Sequence, residues 1–561
     1  MHDLAIRNTE ICDGTGVATY AGEVALTDGV ISAIGSDVGL ARKEINAQGA
    51  VVAPGIIDNH THYDAQITWD AFATPSVGLG VTTLLMGNCG FTIAPCRLGD
   101  RELILKNLTQ VEGMSLDALL TGTNKGYETF DEYMSLLESG GVVPNVAVYC
   151  GHSSIRNWVM GAAATEREAT NEEIDAMREI VRESLKSGAI GFATSTFEGH
   201  NGWGGMPMPS RFAAKSELEA LVGVLGEEAR GLFMLTKGRT TPVDYLETIA
   251  AATGRPVAVA AIQYDHANPD RAFDDMRAIG DAVRRGRRMV GQVACTAISM
   301  DFTLRSAYLF EALEAWRPAI SLYNDLESLA AFYANSDFRT AMKAELLDPK
   351  ALNRFTDQWD KLEVVEVAKD ENRALEGRML ADLADEAGKH PLDWLLDFGA
   401  QENFETLFNA QILNADEDQV IKLLKDRNAT IGLADAGAHL HLFCDADFGL
   451  HLLGHWARER GDFTLPEAVA ALTSVQADIY GIPNRGRLAE GYQGDLIMFD
   501  KETVGRGLKT RVYDLPAGAS RLVRDGKGLL GAWVNGVRVV DEQGLIASDH
   551  RPGHVLREFT N

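Results

Sequence analysis

Val51-Val52-Ala53-Pro54-Gly55-Ile56-Ile57-Asp58-Asn59-His60-Thr61-His62 passes from a continuous apolar run to a polar cluster within a few residues. A short apolar run bounded by Gly and Asp reads as a buried strand, and the histidines fall just beyond its end. Side chains two apart on a strand project to the same side, so His60 and His62 can place two imidazole nitrogens on one metal ion. Spacing alone leaves a second reading open, in which both are ordinary polar residues at a strand end.

Working outward, strands are predicted over roughly 55–60, 81–86, 145–150, 189–195, 231–236, 256–263, 288–294 and 429–434. Helical patterns alternate with them, most clearly Glu172 to Lys186, where Ile174, Met177, Val181 and Leu185 form one stripe. Eight βα units predict an α/β chain built on a closed, distorted (β/α)8 barrel. Both chain ends have a different texture: short alternating strands with turns, among them Asp28-Gly29 between Val24-Ala25-Leu26 and Val30-Ile31. Residues 1–52 and 480–561 are therefore expected to form one small β-sandwich domain, and 53–479 the barrel. The rhythm breaks at about 300–425, where helical patterns such as Ala307 to Trp316 and Gln419 to Arg427 predict an insertion. After a barrel strand an insertion belongs to the catalytic rim, so a lid, an oligomer contact and a plain helical elaboration all stay open.

The 561 residues are 46% hydrophobic and 24% charged, the composition of a globular protein large enough for a barrel and an appendage. No apolar stretch approaches roughly 20 residues, which excludes a membrane-spanning helix. The start, Met1-His2-Asp3-Leu4-Ala5-Ile6-Arg7, reads as a strand rather than a signal peptide, so a cytoplasmic location is expected. A net charge of −28 excludes nucleic acid and anionic membrane as partners on electrostatic grounds. A homo-oligomer stays open. The six cysteines lack a framework of close spacings, so reduced thiols are expected.

Further motifs carry a family resemblance. Pro54 to His62, Gly87-Asn88-Cys89-Gly90, Gly151-His152-Ser153-Ser154-Ile155-Arg156, Ala189 to Ser195 and Leu433-Ala434-Asp435-Ala436-Gly437-Ala438-His439 together resemble the amidohydrolase superfamily, in its N-acyl-D-amino-acid deacylase branch. That resemblance implies a metal-dependent hydrolase that cleaves the amide of an N-acyl amino acid or a related small amide. It implies Asp435 as metal ligand and general base, and Cys89 as a soft thiolate ligand beside His60 and His62.

The chain also departs from the family pattern. Two-metal members present histidines at the ends of strands five and six, whereas here Leu235-Thr236-Lys237-Gly238 and Ala261-Ile262-Gln263-Tyr264 stand in their place. One Zn2+ ion rather than two is therefore expected. Lys237 is read either as a clamp for a substrate carboxylate or as a carboxylated lysine that ligates metal. His152 and Arg156 are expected to bind substrate, since the guanidinium fork suits a carboxylate. His200 and His439, in loops at the catalytic end, are candidates for the metal shell or for donation to the tetrahedral oxyanion. Trp158, Phe197 and Trp203 are candidates for an acyl pocket, and His441, His451 and His455 recur near helical spacing without a clear role. The runner-up activities are a cyclic amidase or deaminase, and outside enzymes a scaffold that binds a ligand without turnover.

Overall fold

The computed structural model describes residues 1–561 except 125, 308, 312, 349–354, 356 and 441–443, and of residues 110 and 111 the backbone only. His441 lies outside the described residues. The chain forms two compact units, one of residues 1–262, 274–295 and 421–561, the other of residues 263–273 and 296–420.

The first unit holds eight parallel strands: β1 (Ile56–Asp58), β2 (Val81–Met86), β3 (Asn145–Gly151), β4 (Gly191–Ser195), β5 (Leu232–Thr236), β6 (Val257–Ile262), β7 (Met289–Ala294) and β8 (Ala429–Gly432). They are hydrogen-bonded in sequence order from β1 to β8. The ring closes just past the strand ends, where Thr61 bridges Ala436 in parallel and the His62 amide donates to the Ala436 carbonyl at 2.7 Å. Each strand reads as a near-continuous apolar run because helices cover the outside and side chains fill the inside. Leu85, Tyr149, Met234 and Ala258 are fully buried in that core, and each large side chain among them contributes about 1.5–3 kcal/mol through removal from water.

The helices that matter for the site are α1 (Arg101–Val111), α2 (His152–Met160), α3 (Asn171–Lys186), α4 (Lys215–Glu227), α5 (Arg271–Arg284) and α6 (Ser474–Tyr480). The stripe predicted from Glu172 onward is α3, which starts at a capping box between Thr170 and Glu173.

Both chain ends share one nine-stranded sheet, joined where Leu496–Phe499 pairs antiparallel with Val51–Pro54. The sheet forks at its first strand, His2–Ile11, which pairs in parallel with Ala41–Asn46 along one half and with Val51–Pro54 along the other. Ile6, Val24, Val52, Met498 and Trp533 pack together at that fork. All six cysteines are free and buried. Among the described residues no helix is long and apolar enough to cross a membrane.

The second unit has its own core around Phe310, Trp316, Tyr333 and Phe408, with a three-stranded antiparallel sheet of Ile298–Phe302, Leu362–Glu366 and Leu407–Leu413. One expectation fails here. The described residues of Ala307 to Trp316 form turns rather than a helix, because the Phe310, Leu313 and Trp316 amides each donate to the carbonyl three residues back, a period of three that turns Ala307, Phe310, Leu313 and Trp316 into the core. Helix Glu417–Leu424 does form where Gln419 to Arg427 is helical in pattern.

Candidate metal centre

The side chains beyond β1, β2 and β8 meet at one point. His60 is buried with its Nδ1–H donated to Gln292 Oε1 on β7 at 2.8 Å, and the Gln292 amide donates in turn to the Tyr480 hydroxyl at the end of α6. That bond fixes the tautomer and leaves the Nε2 lone pair free. Nε2 stands 3.5 Å from Cys89 Sγ and 3.2 Å from Asp435 Oδ1. His62 Nε2 is 3.4 Å from the same Asp435 oxygen. One ligand atom from each of His60, His62 and Cys89 falls within 4.8 Å of the others.

Local backbone strain holds this arrangement. Cys89, Leu433, Asp435 and His439 all have positive φ, between 48° and 57°, a region costly for residues with a Cβ and concentrated at functional sites. Gly437 supplies the close approach that β8 needs: a Cβ there would lie 2.8 Å from the His62 carbonyl.

The charges in the cluster balance one another. Burial pushes Asp435 up, but His60, His62 and His439 outweigh it and hold the carboxylate well below its usual range. Burial likewise raises the Cys89 thiol, and the two imidazoles reverse this and lower it. Burial disfavours the charged rings, yet Cys89 and Asp435 raise His60, and Glu112 and Asp435 raise His62. Cys89 and Asp435 thus favour the protonated forms of the two imidazoles, and the imidazoles favour the anionic forms of Cys89 and Asp435. Asp435 is the most accessible of the four, with 18% of its side chain open.

His200 and His439 stay beside the cluster. His200 Nδ1 is hydrogen-bonded to the Ser195 hydroxyl at 2.6 Å, and the ring lies edge-on to Phe91 and Phe197 and is depressed to about 3 by burial and by the His439 and His62 charges. His439 is lowered chiefly by burial, against the pull of Asp435 and Glu112.

Three residues expected to meet substrate are engaged elsewhere. Lys237 Nζ pairs with Asp275 Oδ2 of α5 at 2.9 Å. Strand alternation explains this, since Thr236, one position earlier, is the residue that faces the cluster, with Oγ1 3.1 Å from Cys89 Sγ. His152 accepts the Thr194 hydroxyl at Nδ1 and donates from Nε2 to Glu217 of α4, at 2.7 and 2.8 Å. Arg156 pairs with the same Glu217 and donates to the Arg167 carbonyl. A buried guanidinium needs such partners, and its fork is spent on them. Of the aromatics, Trp158 carries the Arg97 guanidinium on its face and Trp203 is 48% exposed, whereas Phe197 lies against His200. His451 and His455 stack on each other in the helix after β8.

The sequence reading passed over Glu112, whose Oε1 lies 3.0 Å from His62 Nδ1, as well as Gln292 and Thr236. Gln292 and Thr236 carry a usable signal, as polar residues facing inward on barrel strands. Glu112 carries none, because it sits past a helix end with no periodic relation to β1.

Residues 43–540 match the family model described as amidohydrolase family. The chain belongs to the amidohydrolase family. It is accordingly a hydrolase of carbon–nitrogen bonds other than peptide bonds. The D-aminoacylase of Alcaligenes xylosoxydans xylosoxydans is 26% identical over 99% of this chain and 97% of its own length. The N-acyl-D-aspartate deacylase of the same organism is 25% identical over 99% and 95%. An uncharacterised protein of Mycobacterium tuberculosis is 27% identical over 99% and 94%. Among solved structures, D-aminoacylase superposes with a TM-score of 0.67 at 22% identity over all of both chains. N-acyl-D-glutamate deacylase from Bordetella bronchiseptica, complexed with zinc and a phosphonate inhibitor, gives 0.66 at 23% identity over 99% of this chain and all of its own. At that identity the two structures speak for the shared barrel fold.

Proposed function

We propose that this amidohydrolase is a zinc-dependent deacylase that hydrolyses the amide bond of an N-acyl amino acid, in the D series of its named relatives, with one ion at the centre. The observation that carries the reading is the meeting of His60, His62, Cys89 and Asp435 at the ends of β1, β2 and β8. The donor set fits the ion. Two imidazole nitrogens, a thiolate and a carboxylate are zinc ligands, and the pull of Cys89 and Asp435 toward positive charge, which raises both histidines, is one that a dication would answer. Thr236 at the end of β5 offers no imidazole for a second ion.

Zinc held there would supply Lewis acidity toward the amide carbonyl and make water nucleophilic near neutral pH. The rest falls to the chain. Asp435 turns Oδ1 to both imidazoles, so its Oδ2 accepts the proton of the attacking water and returns it to the leaving nitrogen. His200 stays neutral at pH 7; in the tautomer whose Nδ1 accepts from Ser195, Nε2 carries the proton and can donate it to the developing oxyanion.

A panel of N-acyl D- and L-amino acids assayed with zinc, cobalt and manganese tests this reading. Amide hydrolysis that follows the metal and favours the D series is expected. Equal hydrolysis by metal-free protein, or none of any N-acyl amino acid, would overturn it.

A further inference from the structure

Glu112 lies just past α1, in the long connection between β2 and β3, and is 4% exposed. Its Oε1 is 3.0 Å from His62 Nδ1. Both atoms are sealed from water, and neither makes a well-directed hydrogen bond, to the other or to any other described residue. A buried carboxylate oxygen and a buried ring nitrogen left so are each the other's counterpart. The main chain fixes the segment too. The Glu112 carbonyl accepts the His439 amide proton, and Gly113, at φ +59°, packs so close that a Cβ would meet the His439 Cα at 3.2 Å. Residues 112 and 113 therefore rest on the loop after β8 while the Glu112 carboxylate reaches the loop after β1.

We propose that Glu112 is a positioning residue for His62: its carboxylate, 3.0 Å from Nδ1, pairs with that side of the ring and keeps Nε2 turned toward Asp435 and Cys89. The inference rests on the zinc reading above. An imidazole has two nitrogens and two ring flips, and a carboxylate on the far nitrogen selects one of them and makes the near nitrogen a better donor. Gln292 does the same for His60, so each histidine of the pair has its own outer partner, one on a barrel strand and one in a loop.

The test is the zinc affinity of the full chain, read by competition with a chromophoric chelator, for wild type, Glu112→Gln and Glu112→Ala, with the melting temperature of each metal-free protein measured alongside. Both variants should bind zinc about 10–100-fold more weakly, Glu112→Gln less affected because its amide oxygen still accepts a proton, with metal-free melting unchanged. If Glu112→Ala does not fold, the near-isosteric Glu112→Gln carries the test. Zinc affinity within about twofold of wild type in Glu112→Gln and in any folded Glu112→Ala would overturn the inference and leave the zinc reading standing. A wild type that takes up no zinc would overturn both.

Discussion

Lys237 and Asp275 form an ion pair at 2.9 Å on the outer side of β5, with 18% of each side chain exposed. The lysine is turned by one residue of strand parity toward a covering helix. A role in stability rather than in binding is predicted.

Lys237→Ala should leave zinc content and KM unchanged and lower stability by about 1 kcal/mol or less, the usual worth of a partly exposed pair. Added bicarbonate should have no effect on the wild type. Metal analysis with a urea unfolding curve decides the point: lost zinc, or a KM raised several-fold, would restore a direct role for the lysine.

Asp435→Asn should lower kcat by at least about a hundredfold, because an amide cannot accept the water proton, while KM moves far less. The measurement is steady-state hydrolysis of an N-acyl amino acid at equal metal loading. An unaltered kcat removes Asp435 from proton transfer.

Cys89→Ser replaces a soft thiolate by a poorly ionised hydroxyl. Cobalt-substituted wild type should show thiolate-to-cobalt charge-transfer absorption in the near ultraviolet, and the variant should lack it and hold zinc more weakly. The same band in both proteins would place Cys89 outside the metal shell.

Glu217→Gln should destabilise the fold by about 3–5 kcal/mol, since it strands Arg156 in the interior. The wild-type pair also has a pH signature. Burial pushes Glu217 up, but His152 and Arg156 outweigh it, so its folded pKa lies below the unfolded value. The stabilisation is therefore complete above the unfolded carboxylate range, about pH 4.3, and is lost as pH falls through the folded value. Unfolding free energy measured between neutral and acid pH should fall more steeply in wild type than in Glu217→Gln. Parallel profiles would deny the pair its role.

Much of the barrel was legible because its strands are apolar runs closed by Gly, Asp or Asn, and because parallel strands bring their C-terminal ends to one rim. His60, His62, Cys89 and Asp435 converge for that reason alone. What escaped depends on parity and on distant partners. One residue separates Thr236, which faces the cluster, from Lys237, which does not. His152 and Arg156 looked like substrate ligands because their partner Glu217 sits 65 and 61 residues away on another helix. Glu112 had no signal, since nothing in a helix end announces which loop it will touch. In the stretch from Ala307 to Trp316, apolar residues three apart fit a row of tight turns as well as they fit a helical stripe.

The bridge between Thr61 and Ala436 has a consequence for how the protein is made. The hydrogen bond from Asn59 to Thr430 beside it spans 371 of the 561 residues, so β1 waits for β8 through most of synthesis. Until then Asp435 is absent from the donor set and the Asp58 to His62 segment has no neighbour on its open side. Long-range closure of this kind is slow and comes late in folding. On the zinc reading proposed above, acquisition of the ion would be a final event for this chain, and zinc content in a preparation would report the fraction of molecules whose ring has shut.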